Sequence, residues 1–278
     1  GGVVRCSARR EGLEAYNVSR ISLFARHHLV VAVLLFGFFG QVPVAGDGLL
    51  LPDLQVLPSI NLYIEMDKTT GDRSLRFDTT IINMGYGRLT LIGEYVPEIK
   101  KTRATQHIET SSGKPMQRVA GEFIHHPTHK HWHFENFMVY ELWTYNDDGS
   151  LDQLLSSTNK MSYCMRDNLA LFSGPPEKLP PRKYLPCDPV VQGISVGWGD
   201  TYYSSLPGQE INLANVPDGR YAIRANVDTE NGIMELNDDN NSTTQYIEIT
   251  GTNLEAVPDP RPLESRDLEP TWISRGGS

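Results

Sequence analysis

The chain has 278 residues, with 34 acidic and 25 basic side chains, and its formal net charge at pH 7 is −9. An acidic balance of this size argues against a nucleic-acid partner and mildly favours cationic ones. We therefore expect no nucleic acid among its ligands.

The first 46 residues have the pattern of a secretory leader. A twelve-residue apolar run at 29–40 follows Arg20 and Arg26 and leads into small residues. It is shorter than the about 20 residues that span a membrane, and its charged flank and small-residue exit are typical of a signal peptide. An uncleaved membrane anchor is the alternative. We predict a secreted protein with no stable membrane span once residues 1–46 are removed.

Residues 47–254 are predicted to form one all-β domain. Short runs that alternate between apolar and polar residues, separated by Gly, Asn, Asp and Pro, predict the strands 75–83, 89–92, 129–143, 220–227 and 245–249. Because no long run has a period of 3.6 residues, these strands favour a β-sandwich. The proline-containing stretch 164–198 is predicted to form long, irregular loops that cover a site. The polar tail 255–278 is predicted to be disordered.

Five of the eight histidines lie at 125–133. His129, His131 and His133 alternate with other residues, and in a strand such residues share one face at a spacing of roughly 6.5–7 Å. Three imidazoles on one face can converge on a transition-metal ion, and imidazole suits Cu, Zn, Fe and Ni alike. His126 fits the period less well, so we predict that it supports the ligands or lines a channel to the metal and is not itself a fourth ligand. The alternative is a strand that exposes its histidines without a specific metal site.

Only two of the three cysteines, Cys164 and Cys187, follow the leader. In an exported domain an even pair is most simply one disulfide, which would close a loop of about twenty residues and stabilise the fold by about 3 kcal/mol. Free thiols or metal ligands are the alternative.

Four motifs follow one another between about residues 50 and 250. They are His-x-x-His-x-His-x-His at 126–133 followed by Tyr-Glu-Leu at 140–142; Lys-Met-Ser-Tyr-Cys at 160–164; Gln-Gly-Ile at 192–194 with Asp-Thr-Tyr at 200–202; and Pro-Asp-Gly-Arg-Tyr at 217–221, which leads to Glu235 and to Asn-Asn at 240–241. Together they resemble the catalytic domain of the lysyl oxidases, which are copper- and quinone-dependent amine oxidases.

That resemblance implies an activity and two cofactors. The three alternating histidines would bind Cu²⁺, and Lys160 would be joined to Tyr202 as lysine tyrosylquinone. The enzyme would convert a primary amine, either a small amine or a lysine of a protein substrate, to an aldehyde with O₂, and release H₂O₂ and ammonia. Each residue alone would be read differently, since a single lysine is usually solvated and a single tyrosine is usually part of the core.

The general base departs from the family pattern. Vertebrate members carry a histidine directly before the tyrosine of Tyr-Asp-Leu, whereas this chain has Val139 there. Asp200 is our candidate for that role.

The resemblance also implies a Ca²⁺ site, because oxygen ligands suit this ion. The ligands would be Asp53, Leu54, Glu235, Asn237, Asn240 and Asn241. Asn237 stands where family members have aspartate, which removes one negative charge and should weaken the site. The alternative is an ordinary polar turn. Asn240 and Asn241 each begin an Asn-x-Ser/Thr sequence, but glycosylation there would compete with ligation.

Two other functions fit the histidines. One is a non-catalytic metal-binding β-sandwich for copper storage or adhesion, in which Lys160 and Tyr202 never join. The other is a zinc hydrolase, because three histidines with an open position also describe catalytic zinc.

Overall fold

The computed structural model describes residues 48–171 and 181–262. Within these two ranges the chain forms seventeen strands and no helix, and therefore no helix there could cross a membrane. The all-β prediction is confirmed. The predicted leader and residues 263–278 of the predicted tail lie outside the described residues.

In chain order the first strands are β1 (Leu49–Leu50), β2 (Leu54–Val56), β3 (Ile60–Met66), β4 (Arg73–Asn83), β5 (Leu89–Val96), β6 (Lys101–Thr110), β7 (Met116–His126), β8 (His131–Tyr145) and β9 (Leu151–Ser157). The others are β10 (Met161–Tyr163), β11 (Leu169–Ala170), β12 (Val191–Ile194), β13 (Trp198–Tyr202), β14 (Glu210–Asn212), β15 (Gly219–Val227), β16 (Ser242–Thr250) and β17 (Asn253–Ala256).

The strands form two antiparallel sheets. The larger sheet has the order β12-β5-β6-β7-β8-β15-β16-β17, with β1 beside β6 and with β9 and β10 beside β8. The smaller sheet has the order β11-β13-β4-β14, with β2 and β3 also paired to β4. The long strands β8 and β4 therefore organise one sheet each.

The core lies between the sheets and is rich in aromatic rings. Phe77 of β4 meets Tyr140 of β8 edge to face, with ring centroids 4.8 Å apart. Tyr163 of β10 packs on Tyr202 of β13 at 3.9 Å. Each pair joins the larger sheet to the smaller one, and such pairs stabilise a core by about 0.5–1.5 kcal/mol beyond the area they bury.

The alternation of apolar and polar residues correctly predicted the positions of several long strands. The predicted strands 75–83 and 220–227 correspond to β4 and β15, and 245–249 lies inside β16. The prediction for 164–198 is wrong in part, since the described residues of that stretch include β11 and β12. The described chain also passes the domain boundary expected at 254, since β17 ends at Ala256 and the chain continues to residue 262.

Two long strands, β6 and β7, were not predicted because their inward residues are not consistently apolar. Gln106 of β6 is fully buried. Its side-chain Nε2 donates to the carbonyl oxygen of Met234 at 2.8 Å, and its Oε1 accepts from the backbone N–H of Met234 at 2.8 Å. A buried amide that makes both bonds can occupy a core position, but hydrophobic periodicity does not reveal it.

Candidate metal centre and neighbouring residues

The histidines lie on a hairpin rather than on one strand. His126 ends β7, residues 127–130 form the turn, and His131 begins β8 opposite His126. Lys130 adopts a left-handed conformation (φ 58°), and its N–H bonds the carbonyl oxygen of His126 at 2.8 Å. The expectation that His129 belongs to the strand is therefore wrong, since the turn holds it.

The turn brings four imidazoles together. The possible ligand atoms of His126, His129 and His133 all lie within 4.8 Å of one another. The ring of His131 is centred 4.8 Å from that of His133 and 5.5 Å from that of His129. We expected His131 to bind the metal and His126 to lie outside the ligand set. In the structure the ring of His126 lies nearer to that of His129 (4.2 Å between centroids) than the ring of His131 does (5.5 Å). The set of His129, His131 and His133 stays a prediction.

The environment favours the neutral form of His129, His131 and His133. Burial, and then the neighbouring histidines, lower the pKa of His133 to about 3. Burial is also the main cause that lowers the pKa values of His129 and His131. A neutral imidazole has the lone pair that a metal needs.

Hydrogen bonds select which nitrogen carries that lone pair. His133 Nδ1 lies 2.9 Å from the carbonyl oxygen of Ser162 and 3.1 Å from its Oγ. Because a carbonyl oxygen only accepts, Nδ1 carries the hydrogen and Nε2 carries the lone pair. His129 Nδ1 then donates to His133 Nε2 at 3.3 Å, which leaves His129 Nε2 with a lone pair. That atom is buried and has no hydrogen-bond partner, so the cluster fits a transition-metal ion such as copper.

The two residues of the predicted crosslink are not brought together. The Lys160 ammonium donates to Glu230 Oε1, and each of these side chains is 48% exposed. Tyr202 is buried, and its hydroxyl accepts from the N–H of Cys164 at 2.6 Å and donates to the carbonyl oxygen of Cys164 at 3.1 Å. Among the described residues no hydrogen bond or ion pair joins Lys160 to Tyr202. The crosslink stays a prediction.

One five-residue segment nevertheless contacts both His133 and Tyr202. Lys160 begins it, Ser162 binds His133, and Cys164 binds Tyr202 through its backbone. We name residues 160–164 the linking segment. It places the predicted metal ligand His133 and the predicted cofactor tyrosine Tyr202 against five consecutive residues.

The predicted disulfide between Cys164 and Cys187 is confirmed, with Cα atoms 5.4 Å apart. The carbonyl oxygen of Cys187 accepts from the N–H of Trp132 at 3.0 Å, and Trp132 lies between His131 and His133. The bridge therefore ties the end of the linking segment to the histidine strand.

Asp200 lies on the same face of β13 as Tyr202, two residues away. It is almost fully buried, and its Oδ1 accepts from Asn168 Nδ2 at 2.6 Å while its Oδ2 has no partner. Burial raises the pKa of Asp200 well above its usual range, although Arg166 opposes the shift. A carboxyl group in this setting can hold a proton beside Tyr202, which suits acid–base chemistry.

Five of the six predicted calcium ligands lie in one cluster. Asn240 Nδ2 donates to Asp53 Oδ1 at 3.0 Å, and Asn241 Nδ2 donates to Glu235 Oε1 at 2.7 Å. The Leu54 N–H donates to Glu235 Oε2 at 2.6 Å. The amide oxygens of both asparagines are buried and have no partner. Carboxylate and amide oxygens in this arrangement fit Ca²⁺.

Asn237 does not join that cluster. It is exposed, and its Oδ1 accepts from the N–H of Asp239 at 3.1 Å, as in the polar-turn alternative. Burial raises the pKa of Glu235 to about 8, against the opposing bonds from Asn241 and Leu54. The cluster therefore holds a proton where a cation would fit.

Sequence reasoning missed several residues of the site. Gln209 Nε2 donates to the Tyr163 hydroxyl, and the Tyr140 hydroxyl donates to Gln209 Oε1 at 3.1 Å. The two phenols also bond each other. This closed ring of bonds fixes Tyr163, whose ring packs on Tyr202. The two tyrosines and Ser162 stand in the motifs, but the motif spacing did not indicate the contact of Ser162 with His133 or any role for Gln209 or Glu230.

A sequence model of the family described as lysyl oxidase matches residues 97–257, more than half of the chain. The chain belongs to the lysyl oxidase family. The matched range includes the histidine hairpin, the linking segment and Tyr202, whereas Asp53 lies before it.

Curated relatives agree with this membership at modest identity. The chain is 26% identical over 133 residues to lysyl oxidase homolog 1 from Homo sapiens. The matched stretch covers 48% of this chain and 21% of the relative. It is 26% identical over 127 residues to protein-lysine 6-oxidase from Sus scrofa, a match that covers 45% of this chain and 47% of the relative. It is 28% identical over 127 residues to protein-lysine 6-oxidase from Gallus gallus, a match that covers 45% of this chain and 28% of the relative. The chain thus spans less than half the length of these relatives.

Proposed function

We propose that this protein is a secreted, copper-dependent amine oxidase. It would convert a primary amine, including the side chain of a peptidyl lysine, with O₂ and water to an aldehyde, ammonia and H₂O₂. Membership of the lysyl oxidase family supports the reaction class. The names of the relatives, protein-lysine 6-oxidase among them, support lysine in proteins as the substrate.

The observation that carries the proposal is the histidine cluster and its connection to the linking segment. His129 Nε2 is buried and without a partner, and Ser162 orients His133. The same segment contacts Tyr202 through Cys164. A predicted metal ligand and the predicted cofactor tyrosine are therefore both bound by the linking segment.

The chain's own residues would have distinct roles. His129, His131 and His133 would hold copper, which would supply oxidation of the Tyr202 ring by O₂. Lys160 would provide the amine that joins this ring, and the resulting quinone would act as the electron acceptor for the substrate. Asp200 would hold or release a proton next to Tyr202.

Secretion is supported by two features. The apolar run at 29–40 has signal character, although it lies outside the described residues. The disulfide between Cys164 and Cys187 suits an oxidising compartment.

The test is an assay of H₂O₂ and aldehyde. Copper-loaded protein is given a lysine-rich protein or a small diamine, with Lys160→Arg as the matched inactive control. We expect equal amounts of H₂O₂ and aldehyde from the parent protein. If no primary amine yields peroxide, the proposal is wrong.

The position of Lys160 favours one second candidate, a metal-binding β-sandwich without oxidase activity. The ion pair with Glu230 leaves Lys160 apart from Tyr202, as expected if the two never join. Peptide mass spectrometry of copper-matured protein distinguishes the candidates. A peptide containing both Lys160 and Tyr202 supports the oxidase, and separate peptides support the binding protein.

We also propose that the cluster of Asp53, Glu235, Asn240 and Asn241 binds Ca²⁺. Two buried amide oxygens without partners and a buried carboxyl group support this site. Its role would be structural, because it joins the start of the domain to the loop before β16.

A further inference from the structure

Lys160 is held by a carboxylate from a different part of the chain. It lies in the connection between β9 and β10, and its ammonium donates to Glu230 Oε1. Glu230 Oε2 also lies 3.4 Å from Asn136 Nδ2, so this carboxylate has contacts on both sides. The ion pair joins the linking segment to the loop that follows β15.

This contact places Lys160 on the outer face of the larger sheet. Lys160 lines a groove with Val139 and Glu141 of β8. Tyr140, between them in sequence, is fully buried and points to the opposite face, because side chains alternate along a strand. Tyr202 lies on that inner side, in the core. The lysine amine and the phenol ring therefore start on opposite faces of the sheet.

We propose that Glu230 is a positioning residue that retains Lys160 on the outer face and so slows its joining to Tyr202. This inference rests on the proposed oxidase function. Assembly would first convert the Tyr202 ring to a quinone with one O₂ and release one water. The Lys160 nitrogen would then form a C–N bond to the ring. One N–H and one ring C–H hydrogen would leave with two electrons, which a second O₂ would accept as H₂O₂.

The ion pair opposes this step in two ways. While the ammonium donates to Glu230, its nitrogen has no lone pair for the ring, and the chain is held away from the core. Because both side chains are half exposed, solvent weakens the pair, and its removal should change rates by about two- to five-fold. The contact would therefore delay assembly without preventing it.

The test compares Glu230→Gln with Glu248→Gln in the full chain. Glu248 pairs with Arg220 on the surface, so its variant loses an equivalent ion pair elsewhere. Brief acetylation of the metal-free proteins with isotope-labelled acetic anhydride, followed by peptide mass spectrometry, measures the reactivity of Lys160. We expect about two- to five-fold faster acetylation only in Glu230→Gln, with Lys68, an exposed lysine in the turn after β3, as an internal reference.

A second arm follows assembly after copper is added. Glu230→Gln should bind the same amount of copper as the parent protein and should form the Lys160–Tyr202 peptide about two- to five-fold faster. Thermal unfolding checks that the variant is folded. A Glu230→Asp variant, which keeps the carboxylate, should have intermediate rates.

The outcomes separate this inference from the proposed function. Equal acetylation of Lys160 in both glutamine variants overturns retention by Glu230. Faster acetylation with an unchanged crosslinking rate shows that retention does not limit assembly, and it also overturns the inference. If no variant, nor the parent protein, forms the crosslinked peptide, the oxidase function fails and the role in assembly fails with it, while acetylation still reports the contact.

Discussion

The buried carboxyl group of Glu235 should make the metal-free protein less stable as the pH rises. Burial raises its pKa to about 8 from an ordinary value of 4.5. In the folded protein Glu235 therefore keeps its proton up to about pH 8, whereas the unfolded chain loses it above pH 4.5. The stabilisation is complete below pH 4.5, declines as the pH rises towards 8, and does not change further above that.

The size of the effect follows from the same values. One pKa unit corresponds to about 1.4 kcal/mol, so the difference between folded and unfolded chains amounts to about 3 kcal/mol at pH 7. Calcium should reverse the loss, because the cation stabilises the ionised carboxylate and replaces its proton. Added Ca²⁺ should therefore stabilise the protein more at pH 8 than at pH 5.

Urea unfolding between pH 5 and pH 8.5, in a chelator or in Ca²⁺, measures both effects. Glu235→Gln is the control, because it removes the ionisable group and can keep both hydrogen bonds. The oxygen of the glutamine amide can still accept from the Leu54 N–H, and its NH₂ group can donate to the Asn241 amide oxygen once that amide has rotated. The histidines, and Asp228, whose pKa burial raises to about 6, alter stability in both proteins, so the difference between them reports Glu235 together with its coupling to Asp228. A difference that stays constant with pH would refute the burial argument, and equal Ca²⁺ stabilisation of both proteins would refute the site.

Other substitutions test the copper and cofactor roles. Lys160→Arg and Tyr202→Phe should each retain copper but form no crosslink, because guanidinium is a poor nucleophile and phenylalanine lacks the phenol; amine oxidation by Lys160→Arg would contradict the assignment. Cys164→Ser should lower crosslink yield more than copper stoichiometry, since the bridge tethers the backbone that binds Tyr202; equal losses of both would show a purely structural bridge. His133→Ala should abolish stoichiometric copper binding. Ser162→Ala should weaken copper binding by less than about ten-fold, because the backbone carbonyl oxygen of residue 162 still accepts from His133 Nδ1. Competition with a copper chelator measures both variants, and an equal loss would contradict the idea that this backbone contact orients His133.

Hydrophobic alternation was sufficient for strands that bury apolar side chains on one face. Phe77 and Ile81 mark β4 in this way, and Tyr221 and Ile223 mark β15. It failed where hydrogen bonding replaced apolar packing, as at Gln106. Fold class was therefore predictable, while the number and order of the strands were not.

The candidate site was predictable as a set of residue types but not as an arrangement. A period of two placed His129 on a strand, because periodicity cannot show where a hairpin turns. The distance between Lys160 and Tyr202 depends on which face of the sheet each occupies, and Glu230 influences this from 70 residues away. Contacts of that range leave no local pattern in the sequence.

The linking segment also limits how the chain length can vary. Ser162 of β10 and Lys160, which directly precedes this strand, project outward, and Tyr163 and Met161 project inward. Because successive side chains of a strand alternate, inserting or deleting one residue between Lys160 and Cys164 would exchange the two sides. Serine would then enter the aromatic core, and a tyrosine would face His133. A single insertion or deletion before Ser162 should therefore break the contact with His133 unless the irregular pairing of β10 with β8 absorbs it.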